Sequence, residues 1–268
     1  MAQQNKISQC LIVATHPRSG THLTIDLLRK QFRECQAWLR FGETLHYSYI
    51  DLDHLMQVNK PYLSESKAMN LLSRPSIPLV KTHSLPLTIK HSAETSSVVE
   101  QIRQKAKIYY IVRDGRDVVC SVYRWKNAQC SLAEFIRQQE NGFSRPKQWA
   151  FHVLSWLYES NVNILKFEDI CNNPNAFLQR IAAEYNINPL WEEPLFPRRR
   201  KTDSRWEDYW LRLTRQLEST TIVGRHQGKP PKWQETFTRE DRAFFHQEAG
   251  EVLMQLGYEN SEDWIERL

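Results

Sequence analysis

The sequence predicts an α/β fold in which a central, mostly parallel β-sheet is flanked by helices. Two observations support this prediction. Short apolar runs typical of buried parallel strands alternate with longer helical patterns, and two basic loops each connect such a run to a helix. The chain of 268 residues, 41% hydrophobic and 25% charged, is long enough for one continuous core. We therefore expect a single domain over residues 1–268, with its core at about residues 10–258.

Four strands are expected in the interior of the sheet, because their apolar runs are nearly continuous. They span Cys10 to Thr15, Leu79 to Thr82, Lys107 to Val112 and Asn163 to Phe167. Helices are predicted at Thr21 to Phe32, Asp117 to Trp125, Leu132 to Gln139, Gln148 to Ser160, Pro174 to Tyr185, Trp206 to Leu217 and Arg239 to Leu256. The pattern is irregular between residues 41 and 78 and between residues 189 and 232. We expect these insertions to lie over the carboxyl ends of the strands, where ligands bind.

Two basic loops each follow a predicted strand and precede a predicted helix. The first is His16-Pro-Arg-Ser-Gly20, and the second is Arg113-Asp-Gly-Arg-Asp117. At a helix N-terminus, free backbone N–H groups and the positive end of the helix dipole attract an anion such as phosphate or sulfate. Two such loops therefore predict a ligand with two anionic ends.

Other residues near the strand ends could act on such a ligand. Lys81 and His83 come at the end of the second strand and would supply a cation and a general base together. Arg113 leaves the third strand and Ser121 lies on the next helix, so both could grip one anion. The basic segment 224–229, which has a glycine near each end, is either a solvated loop or a lid over a bound anion.

Composition narrows the class of partner. The net charge of +5 and the isoelectric point near 8.9 are mild, which favours a small anionic ligand over nucleic acid. The Walker A pattern GxxxxGK[ST] is absent, which disfavours a nucleoside triphosphatase. Five cysteines without a CxxC pair indicate a reduced protein, and no apolar run approaches the ~18 residues of a membrane span. We expect a soluble, cytoplasmic protein without a transmembrane segment.

Taken together and in this order, the segments resemble the PAPS-dependent sulfotransferases, in particular the cytosolic type of sulfotransferase domain. PAPS is 3′-phosphoadenosine 5′-phosphosulfate. The family segments YPKSGTTW, KTHLP and RNPKDVAVSYY are similar to Thr15-His-Pro-Arg-Ser-Gly-Thr-His22, Lys81-Thr-His-Ser-Leu-Pro86 and Arg113-Asp-Gly-Arg-Asp-Val-Val-Cys-Ser-Val-Tyr123. The family's WxxHVxxW, YEDM, NP and RKGxxGDWKxxFT elements are similar to segments 149–156, 166–169, 173–174 and 226–238. The resemblance covers Leu11 to Gly257.

The resemblance implies a P-loop-like nucleotide-binding topology and transfer of a sulfuryl group from PAPS, with PAP as the product. It implies that Arg18 neutralises the leaving oxygen, that Lys81 contacts the sulfuryl oxygens and that His83 is the general base. Nucleotide contacts are implied for two groups of residues. The 5′ end would be held by Ser19, Gly20, Thr21 and His22, with Arg18 and Phe167 close by; the 3′-phosphate would be held by Arg113, Ser121, Arg225, His226, Gln227 and Gly228.

Several positions depart from the family pattern. Leu23 stands where the family often has a Trp that stacks on adenine, and Phe167 stands where it often has Tyr. Adenine stacking must therefore be weaker or supplied elsewhere. His226 and Gln227 replace two basic residues of the 3′-phosphate loop, for which Arg225 is the candidate substitute. The family's C-terminal dimerisation motif is not visible, so the oligomeric state stays open.

The acceptor and the reaction class leave alternatives open. Aromatic residues after Phe41 and between Trp125 and Phe151 suit an apolar or aromatic alcohol, although half or more of them are expected in the core. No cluster has metal-ligand spacing, so no metal is expected. A P-loop-like kinase is disfavoured by the missing Walker A pattern, and a nucleotide-binding module without catalysis is disfavoured by the presence of Arg18, Lys81 and His83.

Overall fold

The computed structural model describes residues 9–36, 48–57, 63–74, 77–194 and 232–267. Its strands are β1 Cys10–Thr15, β2 Ile50–Asp51, β3 Leu79–Thr82, β4 Ala106–Val112, β5 Gln139–Glu140, β6 Phe143–Ser144 and β7 Val162–Lys166. A central sheet has the order β2-β3-β1-β4-β7, and every strand pair in it is parallel. A separate antiparallel hairpin pairs β5 with β6. The predicted α/β fold with a parallel central sheet is confirmed.

Helices cover both faces of this sheet. In the described residues they are α1 Thr21–Gln31, α2 Leu52–Leu55, α3 Glu65–Leu72, α4 Pro86–Thr95, α5 Ser97–Lys105, α6 Gly115–Trp125, α7 Leu132–Arg137, α8 Arg145–Leu157, α9 Phe167–Asn172, α10 Pro174–Tyr185, α11 Trp233–Thr236 and α12 Arg239–Gln255. None of them is long and apolar enough to cross a membrane. All five cysteines are free thiols.

The apolar core consists of two layers, one on each face of the sheet. From β1, Ile12 and Ala14 belong to the layer that contains residues of α6, α8 and α12, whereas Leu11 and Val13 belong to the layer of α1 and α10. Successive strand residues point to opposite faces, so a strand that is covered on both sides needs an unbroken apolar run. β1 has such a run, and all of its residues are buried.

Side-chain caps fix where several helices begin. Asp114 accepts a hydrogen bond from the backbone N–H of Arg116 at the start of α6, and Ser144 accepts one from Lys147 at the start of α8. The prediction for α8 began three residues too late, because it missed the Ser144 cap and the Pro146 that follows in the first turn. The structure ends this helix at Leu157, earlier than predicted.

Other element ends also differ from the predictions. The helix predicted to run through Gln139 ends at Arg137, because Gln139 begins the β5–β6 hairpin. Phe167 was predicted to end a strand, but it is the first residue of α9. The helix predicted over residues 206–217 lies outside the described residues. By contrast, α10 begins and ends where it was predicted.

Two broader expectations were wrong. The segment 41–78 is not irregular throughout, because β2, α2 and α3 lie within its described part. β7 was expected in the interior of the sheet, but among the described strands it pairs with β4 alone, and all five of its side chains are half-buried. A short apolar run such as Ile164-Leu165 occurs in edge strands as well as in interior strands, so this pattern does not distinguish the two positions.

The parallel register brings the chemically interesting loops to one edge of the sheet. Ala14 is paired with Thr82, and Thr15 is paired with Ile111. β1, β3 and β4 therefore end side by side. The loop 16–20, the residues after Thr82 and the loop that begins at Arg113 all leave the sheet at this edge.

Candidate active site

The loop 16–20 between β1 and α1 has the form of an anion-binding turn. Gly20 is the N-cap of α1 and has a φ of 100°, and Arg18 also has a positive φ, of 71°. Ser19 is fully buried, and its Oγ atom has no hydrogen-bond partner. A buried hydroxyl is normally hydrogen-bonded, so this atom is a vacant donor at the N-terminus of α1. An anionic group bound at this helix end would satisfy it.

Gly20 and Phe167 are in close contact. A Cβ atom built on Gly20 would lie 2.2 Å from Cδ2 of Phe167, so a larger residue cannot be accommodated without movement. The guanidinium of Arg113 also packs on the Phe167 ring, with its Cζ atom 4.9 Å from the ring centre. The first residue of α9 therefore supports both the anion loop and Arg113.

His83 is held by its ring as well as by its backbone. Its Nδ1 atom lies 2.9 Å from the carbonyl oxygen of Thr15 and 3.1 Å from the Thr15 Oγ1 atom. A carbonyl oxygen can only accept, so Nδ1 carries the proton in the neutral ring and Nε2 carries the lone pair. This tautomer presents a basic nitrogen at the edge where the loops meet.

Burial and the positive charge of Lys81 lower the pKa of His83, while the Thr15 carbonyl and two carboxylates oppose the shift. A lowered pKa keeps the imidazole neutral at neutral pH, as a general base requires. The nearer carboxylate, Asp53, accepts hydrogen bonds from the backbone N–H of His83 at 2.8 Å and from the Thr82 hydroxyl at 2.6 Å. Asp53 thus fixes the backbone at residues 82–83, from which the imidazole projects.

Lys81 lies on β3 two residues before His83 and forms an ion pair. Its Nζ atom is 2.7 Å from Oδ2 of Asp51, and both side chains are largely buried. The ammonium group is therefore held beside the imidazole, whose pKa it lowers. The Asp51 carboxylate thus supports the position of the ammonium group.

Arg18 of the first basic loop contacts both Ser121 on α6 and Arg113 of the second basic loop. The Arg18 Nε atom donates to Ser121 Oγ across 3.3 Å, and the Arg18 guanidinium lies 5.8 Å from the centre of the exposed Trp125 ring. From the other direction, Arg113 Nη1 donates to the backbone oxygen of Arg18 across 3.2 Å. The Nε atom of Arg113 is buried without a hydrogen-bond partner, so this group retains donor capacity.

The remaining residues at the start of α1 are polar but uncharged at neutral pH. Thr21 Oγ1 lies 2.6 Å from Thr15 Oγ1, which joins the start of α1 to the residue that contacts His83. Burial and the charge of Lys81 lower the pKa of His22 to about 4. The His22 ring packs edge-on against Tyr49 at 5.7 Å.

The structure brings together most of the residues that the sequence singled out. The group comprises Arg18, Ser19, Gly20, Thr21, His22, Lys81, His83, Arg113, Ser121 and Phe167. The predicted loop Arg225, His226, Gln227 and Gly228 lies outside the described residues. Among the described residues, no three His, Cys, Asp or Glu side chains form a group that could hold a metal ion.

Sequence reasoning missed two carboxylates and a buried layer beneath the site. Asp51 and Asp53 lie in the segment that was interpreted as irregular, although the Asp-x-Asp spacing after the apolar Ile50 is visible. Tyr110 and His152 lie under His83 and are buried. His152 falls within a family-like helix, but the pattern assigned it no role.

Comparison with known proteins was made for both sequence and structure. The family model described as "Sulfotransferase domain" matches residues 8–257. Sulfotransferase 2B1 of Mus musculus is 27% identical over 194 residues, which is 69% of this chain and 52% of that protein. The matched part of the chain thus spans about half the length of this curated relative.

Two solved structures have a similar fold. Mouse sulfotransferase SULT7A1 complexed with PAP aligns with a TM-score of 0.54 and 16% identity, covering 96% of this chain and 88% of that chain. Retinol dehydratase in a complex with retinol and PAP aligns with a TM-score of 0.52 and 19% identity, covering 92% of this chain and 82% of that chain. At these identities the likeness shows a shared fold.

Proposed function

Because this chain belongs to the sulfotransferase domain family, we propose that it transfers a sulfuryl group from PAPS to a hydroxyl or amine of a small acceptor. The observation that carries the proposal is the orientation of His83. Its Nδ1–H group is committed to the Thr15 carbonyl, which leaves Nε2 as a proton acceptor. Two cations lie near this base: Arg18 in the loop after β1 and Lys81 on β3.

The chain's own residues fit the two anionic ends of PAPS. The vacant Ser19 hydroxyl, the N–H groups at Gly20 and Thr21 and the nearby His22 would hold the 5′ end at the start of α1. Arg113, with its unpartnered Nε atom, and Ser121 would hold the 3′-phosphate. The contribution of residues 225–228 stays a prediction. Phe167 would support the loop rather than stack on adenine, because its ring lies against Gly20 and Arg113.

PAPS, when bound, supplies a sulfuryl group with an anhydride leaving group. His83 Nε2 would take the proton of the acceptor hydroxyl as the new O–S bond forms. Arg18 would stabilise the negative charge that develops on the leaving oxygen, and Lys81 would stabilise the sulfuryl oxygens. Positioning and charge stabilisation carry most of the catalysis in transfers of this kind.

We propose an apolar or aromatic alcohol as the acceptor. The large exposed ring of Trp125 lies next to the Arg18 guanidinium, and Phe151 is also exposed. Among the aromatic residues of these two segments, Tyr49, Phe135 and Trp149 belong to the core. The neighbour retinol dehydratase, whose structure contains retinol, is compatible with a hydroxyl-bearing apolar acceptor.

Transfer of label from radiolabelled PAPS to a panel of phenols, aliphatic alcohols and amines tests the proposal. We expect labelled product with the wild-type chain and a loss of turnover of ~10²-fold in His83→Ala, the usual contribution of a positioned general base. The control is His91→Ala, an exposed histidine on α4, which should keep its turnover. Turnover of His83→Ala close to that of the control would assign His83 a structural role.

Ligand-induced thermal stabilisation separates the alternative functions. At ~100 times its dissociation constant, a ligand of the folded state adds ~2.7 kcal/mol of stability. We expect this stabilisation with PAP and much less with AMP, which lacks the 3′-phosphate. A larger effect of magnesium ATP would favour a kinase. Binding of PAP without turnover on any acceptor would favour a non-catalytic binding module.

A further inference from the structure

A buried chain of hydrogen bonds lies directly beneath His83. The Tyr110 hydroxyl on β4 is 2.9 Å from His152 Nδ1 on α8, and His152 Nε2 is 3.0 Å from the backbone oxygen of His83. Tyr110 is fully buried and His152 is 7% exposed. The chain therefore connects the sheet interior to the backbone of the proposed base without passing through solvent.

The acceptor groups fix the direction of these hydrogen bonds. The His83 carbonyl can only accept, so His152 donates from Nε2–H, and its Nδ1 must then accept from the Tyr110 O–H. Burial lowers the pKa of His152 to about 4, so the ring stays neutral at neutral pH. Burial also raises the pKa of Tyr110, while a hydrogen bond from the His16 backbone opposes the rise, and the phenol keeps its proton. One tautomer of His152 satisfies both neighbours.

We propose that Tyr110 and His152 are positioning residues. They hold the backbone of His83, and hence its Nε2 atom, where Nε2 can take the proton of the acceptor. His83 lies beyond the last residue of β3, where no strand pairing fixes it. Asp53 accepts a hydrogen bond from the backbone N–H of His83, and His152 donates one to the backbone oxygen of His83, so both backbone polar groups of His83 are held. This inference rests on the proposed function, in which Nε2 takes the acceptor proton.

The hydroxyl of Tyr110 and its ring have separable roles. The ring stacks on Trp156 with centroids 5.6 Å apart and an interplanar angle of 18°, which is a packing contact. The hydroxyl donates to Nδ1 and so anchors the ring in the Nε2–H tautomer that the His83 carbonyl selects. Without it, Nδ1 loses its partner, and the ring is free to turn away from the His83 carbonyl. Loss of the hydroxyl should therefore affect catalysis more than packing.

Two pairs of variants test this proposal. His152→Gln keeps an N–H donor at nearly the same reach, whereas His152→Met has a similar length and no donor. Tyr110→Phe removes the hydroxyl that bonds His152, whereas the control Tyr109→Phe removes the neighbouring hydroxyl, which bonds Glu184 on the opposite face of the sheet. For each variant we would measure kcat, the KM for PAPS and the dissociation constant of PAP.

We expect His152→Met to lower kcat by ~10-fold or more, because a misplacement of ~1 Å can cost ~10²-fold. His152→Gln should restore most of this loss, and Tyr110→Phe should lower kcat several-fold more than Tyr109→Phe. PAP affinity should change less than kcat in all four variants, because none of the residues proposed to contact PAP is substituted. Equal kcat values for the Gln and Met variants, or equal losses for both Tyr variants, would overturn the proposal while leaving the proposed function intact.

A measurement independent of turnover reads the tautomers themselves. Long-range ¹H–¹⁵N correlation spectra of the wild-type chain should show His152 with its proton on Nε2 and His83 with its proton on Nδ1. In Tyr110→Phe, the Nδ1 signal of His152 should shift because its hydrogen bond is lost, while in Tyr109→Phe it should not. A proton on Nδ1 of His152 in the wild-type chain would overturn the proposal even if no acceptor were turned over.

Discussion

Arg18 and Ser121, which lie 103 residues apart in the sequence, share a hydrogen bond from Nε to Oγ of 3.3 Å. The bond joins the loop after β1 to the helix after β4, so the two proposed anion sites form one continuous surface. Arg18 carries the charge, and Ser121 fixes one edge of its guanidinium. The bond anchors Nε and so orients the Arg18 guanidinium at the junction of the two proposed sites.

Removal of either partner should therefore lower turnover, but by different amounts. We expect Arg18→Ala to lower kcat by ~10²- to ~10³-fold, the usual cost of losing a group that stabilises developing charge. Ser121→Ala should lower kcat by only ~10-fold, because it removes one hydrogen bond of ~1.5 kcal/mol to a cation that remains in place. The control is Ser155→Ala on α8, whose hydroxyl bonds only its own helix in the contacts described. A larger loss from Ser121→Ala than from Arg18→Ala would contradict these roles.

The contact between Gly20 and Phe167 makes a prediction about stability and donor binding. Gly20→Ala should destabilise the fold and weaken PAP binding, because the added Cβ would collide with the ring and the φ of 100° disfavours any side chain. We expect a loss of about 2–5 kcal/mol, which combines left-handed strain with overpacking. Urea unfolding and PAP titration measure the two effects.

Gly142 offers a matched control for this change. It also has a positive φ, of 79°, but nothing lies within 4 Å of a Cβ built on it. Gly142→Ala should therefore lose only the strain component and bind PAP normally. Equal destabilisation by the two alanine variants would show that the Phe167 contact relaxes at little cost.

The sequence was sufficient to predict the edge of the sheet at which the site forms. Arg18, His83 and Arg113 each come just after an apolar run, and the carboxyl ends of parallel strands meet at one edge. Phe167 was predicted near the nucleotide for a different reason, its place in a family-like segment. Its contact with Gly20 depends on the turn from β7 into α9, which the periodicity did not predict.

Tertiary pairings could not be predicted in the same way. The ion pair of Lys81 with Asp51 requires β2, a two-residue strand too short to show a period of two. The tautomer of His83 depends on a carbonyl 68 residues earlier in the chain. The single domain over residues 1–268, the cytoplasmic location and the role of residues 225–228 stay predictions.

Arg116 makes a prediction about stability alone. Its side chain is 2% exposed, pairs with Asp114 and Glu259, and lies over the rings of Trp233 and Trp264. Arg116→Ala would remove the cation that Asp114 and Glu259 share in a buried site and leave Glu259 with the exposed Arg267, so we expect a loss of about 3–5 kcal/mol. Arg239→Ala, which breaks the exposed pair with Glu266, should change stability little. Urea unfolding of both variants measures the contrast; similar small losses would mean that water reaches the Arg116 site.

The pH dependence of turnover tests the state of His83. A histidine general base works only when it is neutral. As the pH is lowered, kcat/KM therefore declines around the pKa that this base has in the free enzyme, and this decline is the acidic limb of the pH profile. Burial, and then the charge of Lys81, place the pKa of His83 below the ordinary value of 6.5. Activity should therefore persist below pH 6.5 and fall off only at a lower pH.

Lys81→Met tests the direction in which Lys81 shifts the pKa of His83. Removal of the neighbouring positive charge stabilises the protonated imidazole, so the pKa of His83 should rise and the acidic limb should move to higher pH. The maximum rate should also fall, because the proposed contact with the sulfuryl oxygens is lost. The control is Lys90→Met, a lysine on α4 that pairs with Glu159 at the surface and should leave the limb in place. A limb that moves to lower pH in Lys81→Met, or that stays fixed, would show that the titrating base is a group other than His83.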